Sequence, residues 1–153
     1  MAKPLVTFGS PEAAVIVPLR AVYVGRPEAY IPPATYTIDG RVIQAVSTSY
    51  PSWSLTGNET AVQVELEVGD TSDYPVTERA RVRVNCNAAK GHRTNVLDLA
   101  SLTLGLASRI QSAEVAGVRV LQGRSDVIED PDTGNLMCWF AIGVDLKASL
   151  LAS

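Results

Sequence analysis

Two short runs constrain this chain more than anything else in it. From Thr60 to Val68, the apolar residues Val62, Val64, Leu66 and Val68 alternate with Gln63, Glu65 and Glu67; from Ala80 to Asn87, Val82, Val84 and Cys86 alternate with Arg81, Arg83 and Asn85. A period of two with one apolar side is what a half-buried strand requires. A polar loop from Gly69 to Arg79 joins the runs, which invites antiparallel pairing. Setting Leu66 opposite Val82, Val64 opposite Val84 and Val62 opposite Cys86 also brings Glu67 to Arg81 and Glu65 to Arg83 as cross-strand ion pairs. Such pairs contribute roughly 0.2–1 kcal/mol each, and a slip of one residue turns the whole apolar set outward.

An apolar sheet face needs a cover, and the next segment supplies it. After Lys90-Gly91, Asn95 followed by Asp98 resembles a capping box and predicts a helix running to about Gln111. Its apolar members, Val96, Leu97, Leu99, Ala100, Leu102, Leu104, Leu106, Ala107 and Ile110, spread over more than half the circumference, wider than one sheet-facing stripe requires. The remaining strip is Asp98, Ser101, Gly105, Ser108 and Arg109. Ser101, Gly105 and Ser108 are small and uncharged, so this strip fits a solvated back face or a close contact with another subunit.

Elsewhere the signals are shorter. Ser10-Pro11-Glu12 starts an N-terminal helix, because Ser caps free N–H groups, Pro suits the first turn and Glu suits the positive dipole end. Pro18 is expected to stop or kink it. Three prolines between Arg26 and Pro33 predict an extended surface connector. Arg41 to Ser49 is β-branched enough for a strand, followed by a polar, aromatic loop from Tyr50 to Asn58. Gly117 to Gln122 and Leu136 to Lys147 form a second hairpin, separated by the turn-rich segment Asp130 to Asn135. The expectation is a single α+β domain over residues 1–153, with a helix and connector to residue 40 and a core from 41 to 148. Its order is α-β-β-β-α-β-β: a mixed or antiparallel sheet of four to five strands with two helices on one face.

Composition narrows the function classes. With 46% hydrophobic and 19% charged residues the chain is an ordinary globular one, and a formal charge of −3 leaves no basic face for gripping phosphates. No signal peptide or membrane span is legible, so the expected setting is cytoplasmic. Cys86 and Cys138 lie inside strand-like runs and read as buried free thiols, without the flanking ligands of a zinc site. The single histidine, His92, sits in a polar turn with no spacing that selects a carboxylate and a nucleophile beside it, so no catalytic residues are assigned. Glu129, Asp130 and Asp132 form the one dense acidic cluster. Hard cations favour such oxygens, but Asp-Pro-Asp-Thr-Gly is first of all turn chemistry. No glycine pattern cradles a phosphate, so no cofactor is expected. The segments suited to partners are the loop holding Tyr50 and Trp53 and the acidic loop holding Asp70, Asp73 and Tyr74, since buried rings dominate association energetics. Either ring could equally cover the edge of the domain's own core.

The run ARVRVNCNA, a Gly-His-Arg-Thr turn, the helix NVLDLASLTLGLASRIQS and then GVRVLQGRSDVIEDPDTGNLMCWFAIGVDLKA, preceded by an N-terminal helix and a proline-containing connector, together resemble the tail terminator proteins of long-tailed, non-contractile bacteriophages. The likeness is one of layout, densest over residues 60–147; the Tyr50–Asn58 loop and Pro18 depart from the compact pattern. It implies a virion protein at the head–tail junction, assembled in the host cytoplasm. It also implies a homo-oligomeric ring, usually of six subunits, that binds the last ring of the tail tube protein, stops its polymerisation and offers a docking surface to the neck or head-completion protein. DNA would pass through the lumen without sequence-specific binding, which a weakly acidic chain suits. A neck or head-completion protein is the alternative within the same class, and a small-ligand module or enzyme the alternative from another.

Overall fold

The structure, a computed structural model, describes residues 5–7, 10–23, 31–70, 77–112, 115–147 and 149–151. The chain runs β1 (Leu5–Thr7), α1 (Pro11–Tyr23), β2 (Thr35–Ile38), β3 (Arg41–Gln44), β4 (Val46–Ser47), β5 (Thr60–Asp70), β6 (Thr77–Ala88), α2 (Arg93–Ala107), β7 (Val115–Gln122), β8 (Ile128–Glu129), β9 (Leu136–Lys147) and β10 (Ser149–Leu151). It is an α+β fold. The main sheet has the order β4-β5-β6-β9-β7, with β8 also on β9.

The alternating runs pair as their pattern demands. Val62 faces Cys86, Val64 faces Val84 and Leu66 faces Val82. One residue further a bulge intervenes, so that Val68 rather than Glu67 lies opposite Arg81. The extra residue of the bulge still lets Glu67 reach Arg81, at 2.6 Å. Arg83 lies directly opposite Glu65 but donates to Asn85 Oδ1 at 2.9 Å and stacks over the Trp139 ring, 4.1 Å from its centroid. The planar guanidinium gains more from that ring and amide than from an exposed carboxylate.

On β6 lies β9 rather than a strand local to it. The two pair over their full length, with Cys138 on Cys86, Phe140 on Val84 and Ile142 on Val82. These side chains, with Val62, Val64, Val144 and Leu146, are buried in one continuous cluster with Val15, Leu19 and Tyr23 of α1 and Val96, Leu99 and Ala100 of α2. Both helices therefore cover the same face of the sheet. β7 and β9 form the expected second hairpin pair, with Val120 on Ile142 and Val118 on Val144.

Four expectations are corrected. Pro18 does not stop α1, which continues to Tyr23. The missing N–H costs a bond, but Leu19 and Tyr23 beyond it are buried, and that burial offsets the roughly 3 kcal/mol penalty of an interior proline. The start of α2 is Arg93, with His92 at the cap and no side-chain cap bond; Asn95 instead donates to Asn58 Oδ1 at 3.2 Å. The helix also stops earlier than expected, at Ala107, where the Ser108 N–H closes onto Leu104 O at 3.0 Å. Finally, Arg41 to Ser49 is not one strand. β3 pairs back with β2 in a separate hairpin, while β4 joins the main sheet parallel to β5, with Ala45 as the hinge between them. Asp39 and Gly40 turn that hairpin with φ of 50° and 76°, the left-handed pair that an Asp-Gly turn supplies. The hairpin is tied to β5 by the Tyr36 hydroxyl, which donates to Thr60 O and accepts from Thr60 N–H. The connector expected from Arg26 to Pro33 lies outside the described residues up to position 30. Near the two termini β1 and β10 pair antiparallel with each other.

A branched side chain at Gly40 must adopt a conformation that L-residues disfavour by roughly 1–2 kcal/mol. Gly40→Val is expected to lower stability by about that amount in urea unfolding, and Gly40→Asn by much less, because Asn tolerates the left-handed region.

Candidate assembly surfaces

The loop from 48 to 59 leaves the helix-covered face and folds across the end of the other one. Trp53 and Leu55 pack on Ala61 and Ala89, and Ala61 alternates with the core-facing Val62, so this small cluster lies on the side of the sheet that carries no helix. Trp53 thus covers the domain's own second core. Tyr50, 37% exposed, points elsewhere and donates its hydroxyl to Asp130 Oδ2 at 2.9 Å.

That bond is one of four joining the aromatic loop to the acidic turn. Ser54 Oγ donates to Thr133 O at 2.8 Å, the Leu55 N–H to Asn135 Oδ1 at 2.8 Å, and Asn135 Nδ2 to Trp53 O at 2.9 Å. Asn135 is 1% exposed and answers one donor and one acceptor of the loop with a single amide. The acidic turn is itself closed: Gly134 N–H donates to Asp130 O, Asp130 N–H to Asn135 O, and Asp132 N–H to Asp130 Oδ1. The carboxylate of Asp130 is held below its ordinary range by the Asp132 N–H and the Tyr50 hydroxyl. Burial first, and then the neighbouring Asp130, push the Tyr50 phenol up to about 12. Glu129 turns away to Lys90 at 3.7 Å. The oxygens of Asp130 are thus engaged as turn acceptors, and no group of three or more metal-ligating side chains gathers among the described residues.

On α2, Ser101 and Gly105 are exposed and Ser108 is half-buried. Arg124, from the segment after β7, donates to Ser101 Oγ at 2.7 Å and to Leu97 O at 3.3 Å, so it lies over the beginning of the strip. Ser108 Oγ returns to Gly105 O at 2.9 Å. Only the Gly105 region stays open, with no atom within 4 Å of where a β-carbon would be. Asp70 ends β5, while Asp73 and Tyr74 lie outside the described residues.

The reactive groups are placed for packing. Cys86 and Cys138 face each other across β6 and β9 as free buried thiols. Burial pushes Cys86 up to about 12 and raises Cys138, whose Sγ donates to Ser125 O at 3.1 Å. A thiol so protonated is a poor nucleophile.

The chain shares its fold with a protein of the virion of a native gene transfer agent particle. The two superpose with a TM-score of 0.58 over 91% of this chain and 96% of that one, at 17% identity. No family model matches the sequence, and no curated protein does.

Reasoning from sequence missed Asn135 and Arg124. Asn135 carried a weak signal, as the residue that closes Asp-Pro-Asp-Thr-Gly-Asn, but its partners on the aromatic loop are 80 positions away. Asn135→Leu is expected to cost about 1–3 kcal/mol by orphaning the Leu55 N–H and Trp53 carbonyl, and to speed amide exchange at Leu55. For Asp130, whose folded pKa is depressed, the contribution to stability is present above the ordinary carboxylate range and lost as pH falls through the lowered value. Asp130→Asn should therefore flatten the acid side of the stability profile in pH-dependent unfolding.

Proposed function

We propose that the protein is a structural subunit of a phage-like virion, and within it a tail terminator. A ring of six copies binds the last ring of the tail tube, halts its growth and presents the opposite face to the neck or head-completion protein at the head–tail junction. The observation that carries this reading is the fold shared over nearly the whole length of both chains with a gene transfer agent virion protein. The layout of residues 60–147 supports it independently. Mechanism here is geometry: a closed head-to-tail ring satisfies its own lateral contacts and leaves two unlike faces for two unlike neighbours. Copies assemble in the host cytoplasm, and DNA passes through the lumen without sequence-specific binding, with which a chain charge of −3 is compatible.

In this reading the tip formed by the Tyr50 loop and the Asp130 turn, together with the loop containing Asp70, Asp73 and Tyr74, meets the tube or neck. Tyr50 stays accessible there while Trp53 holds the loop in place. The α2 strip of Ser101, Gly105 and Ser108, open around Gly105, faces outward.

Mass photometry of purified protein, alone and mixed with tail tubes of a long-tailed phage-like particle, tests the proposal. A ring of about six protomer masses that caps tubes and stops their extension is expected. A monomer at every concentration with and without tubes would sink it, and rings that bind heads but leave tubes growing would move the protein to the neck.

A further inference from the structure

The main sheet ends unfinished on both sides, and the two ends match. On one side β4 covers only the start of β5, pairing Val46 with Val62 and Ser47 with Gln63; no other described strand lies beside β5 from Val64 onward. On the other side β9 is the one described strand that pairs with β7. An uncovered edge presents a row of backbone donors and acceptors, which pair readily with another chain.

The side chains along the two edges are complementary face by face. Leu66 lies opposite Val82 and Val120 opposite Ile142, so both point to the helix-bearing face, and they are 39% and 48% exposed. Glu65 lies opposite Arg83 and Arg119 opposite Gly143, so both point to the bare face. One edge therefore offers leucine above and a carboxylate below, the other valine above and a guanidinium below. Glu65 has no ion-pair partner among the described residues, and Arg119 holds Asp145 only loosely, at 3.6 Å.

Strand direction agrees. The steps β5–β6, β6–β9 and β9–β7 are each antiparallel, so β7 runs opposite to β5. A copy rotated about an axis along the strands keeps both directions, and its β5 then meets the first copy's β7 antiparallel. Because the two edges differ, the contact is head-to-tail, the kind that builds a ring when its rotation closes rather than a two-fold pair.

We propose that β7 of one copy adds to the uncovered part of β5 of the next, so that a single sheet runs round the assembly, with Leu66 meeting Val120 on one face and Arg119 reaching across to Glu65, its diagonal neighbour in this antiparallel register, on the other. The bulges at Glu67 and Leu121 limit the length of this added pairing, as edge bulges do in sheets that must not polymerise without end. This inference rests on the reading of the chain as a ring-forming subunit.

The test is a charge exchange read by native mass spectrometry, with circular dichroism and urea unfolding to show that each variant folds. Glu65→Arg alone sets arginine against Arg119 at every junction, and Arg119→Glu alone sets glutamate against Glu65. Each should raise the concentration needed for assembly roughly tenfold or more. Mixing the two folded variants restores opposite charges at every junction of an alternating ring, so rings containing both in equal number are expected. Single variants that assemble as wild type, or that fail without recovery on mixing, overturn the inference while leaving a wild-type ring intact. So do variants that keep the ring and lose only tube capping, which would give the edge to the tube protein. A wild-type chain that is monomeric alone and on tubes overturns the ring reading and this inference together.

Discussion

The pairing of β6 with β9 is the constraint on which the rest of the structure depends. It joins residues 77–88 to residues 136–147 in unbroken register and sets Cys86, Val84 and Val82 against Cys138, Phe140 and Ile142. α2 lies over the pair, because the chain passes from β6 straight into it and its apolar side is buried against both strands. α1 fills the remainder of the same face, where the Tyr23 hydroxyl and that of Thr103 are hydrogen-bonded to each other inside the core. Satisfying that one buried polar contact fixes how the two helices meet.

Covering one face leaves the other to polar chemistry. Arg79 and Arg119 both approach Asp145 at 3.6 Å, Arg81 holds Glu67, and Arg83 lies on Trp139. Partial exposure keeps each ion pair weak, yet together they give the bare face a charge pattern that ends in a carboxylate on one edge and a guanidinium on the other. The far end of that face is sealed by the loop held through Asn135. The molecule thus has one greasy side consumed by its helices, one end closed by a loop, and two strand edges left over.

Much of this was legible in the chain. Strict alternation in Val62 to Leu66 and Val82 to Cys86 narrows the register, because a slip of one residue turns the apolar set outward. The breadth of apolar residues on α2 likewise announces a buried helix. The insertion of β9 between β6 and β7 was not legible, since a strand buried on both sides reads as a continuous apolar run and its neighbours are set by tertiary packing. The β2–β3 hairpin was missed although Asp39-Gly40 signals it, because the prolines upstream drew the reading toward a connector. Of the surfaces chosen from sequence, Trp53 turned inward and Tyr50 outward, a distinction that depends on where Ala61 and Ala89 lie in space.

Strand edges shared between copies would show in the backbone amides. Hydrogen exchange measured on the wild-type chain, dilute and assembled, is the most direct measurement. The account predicts that amides within Glu65–Glu67 and Arg119–Leu121 exchange quickly in the dilute protein and are protected on assembly. Unchanged exchange at both edges in the assembled particle, with new protection confined to the exposed strip of α2, would contradict it.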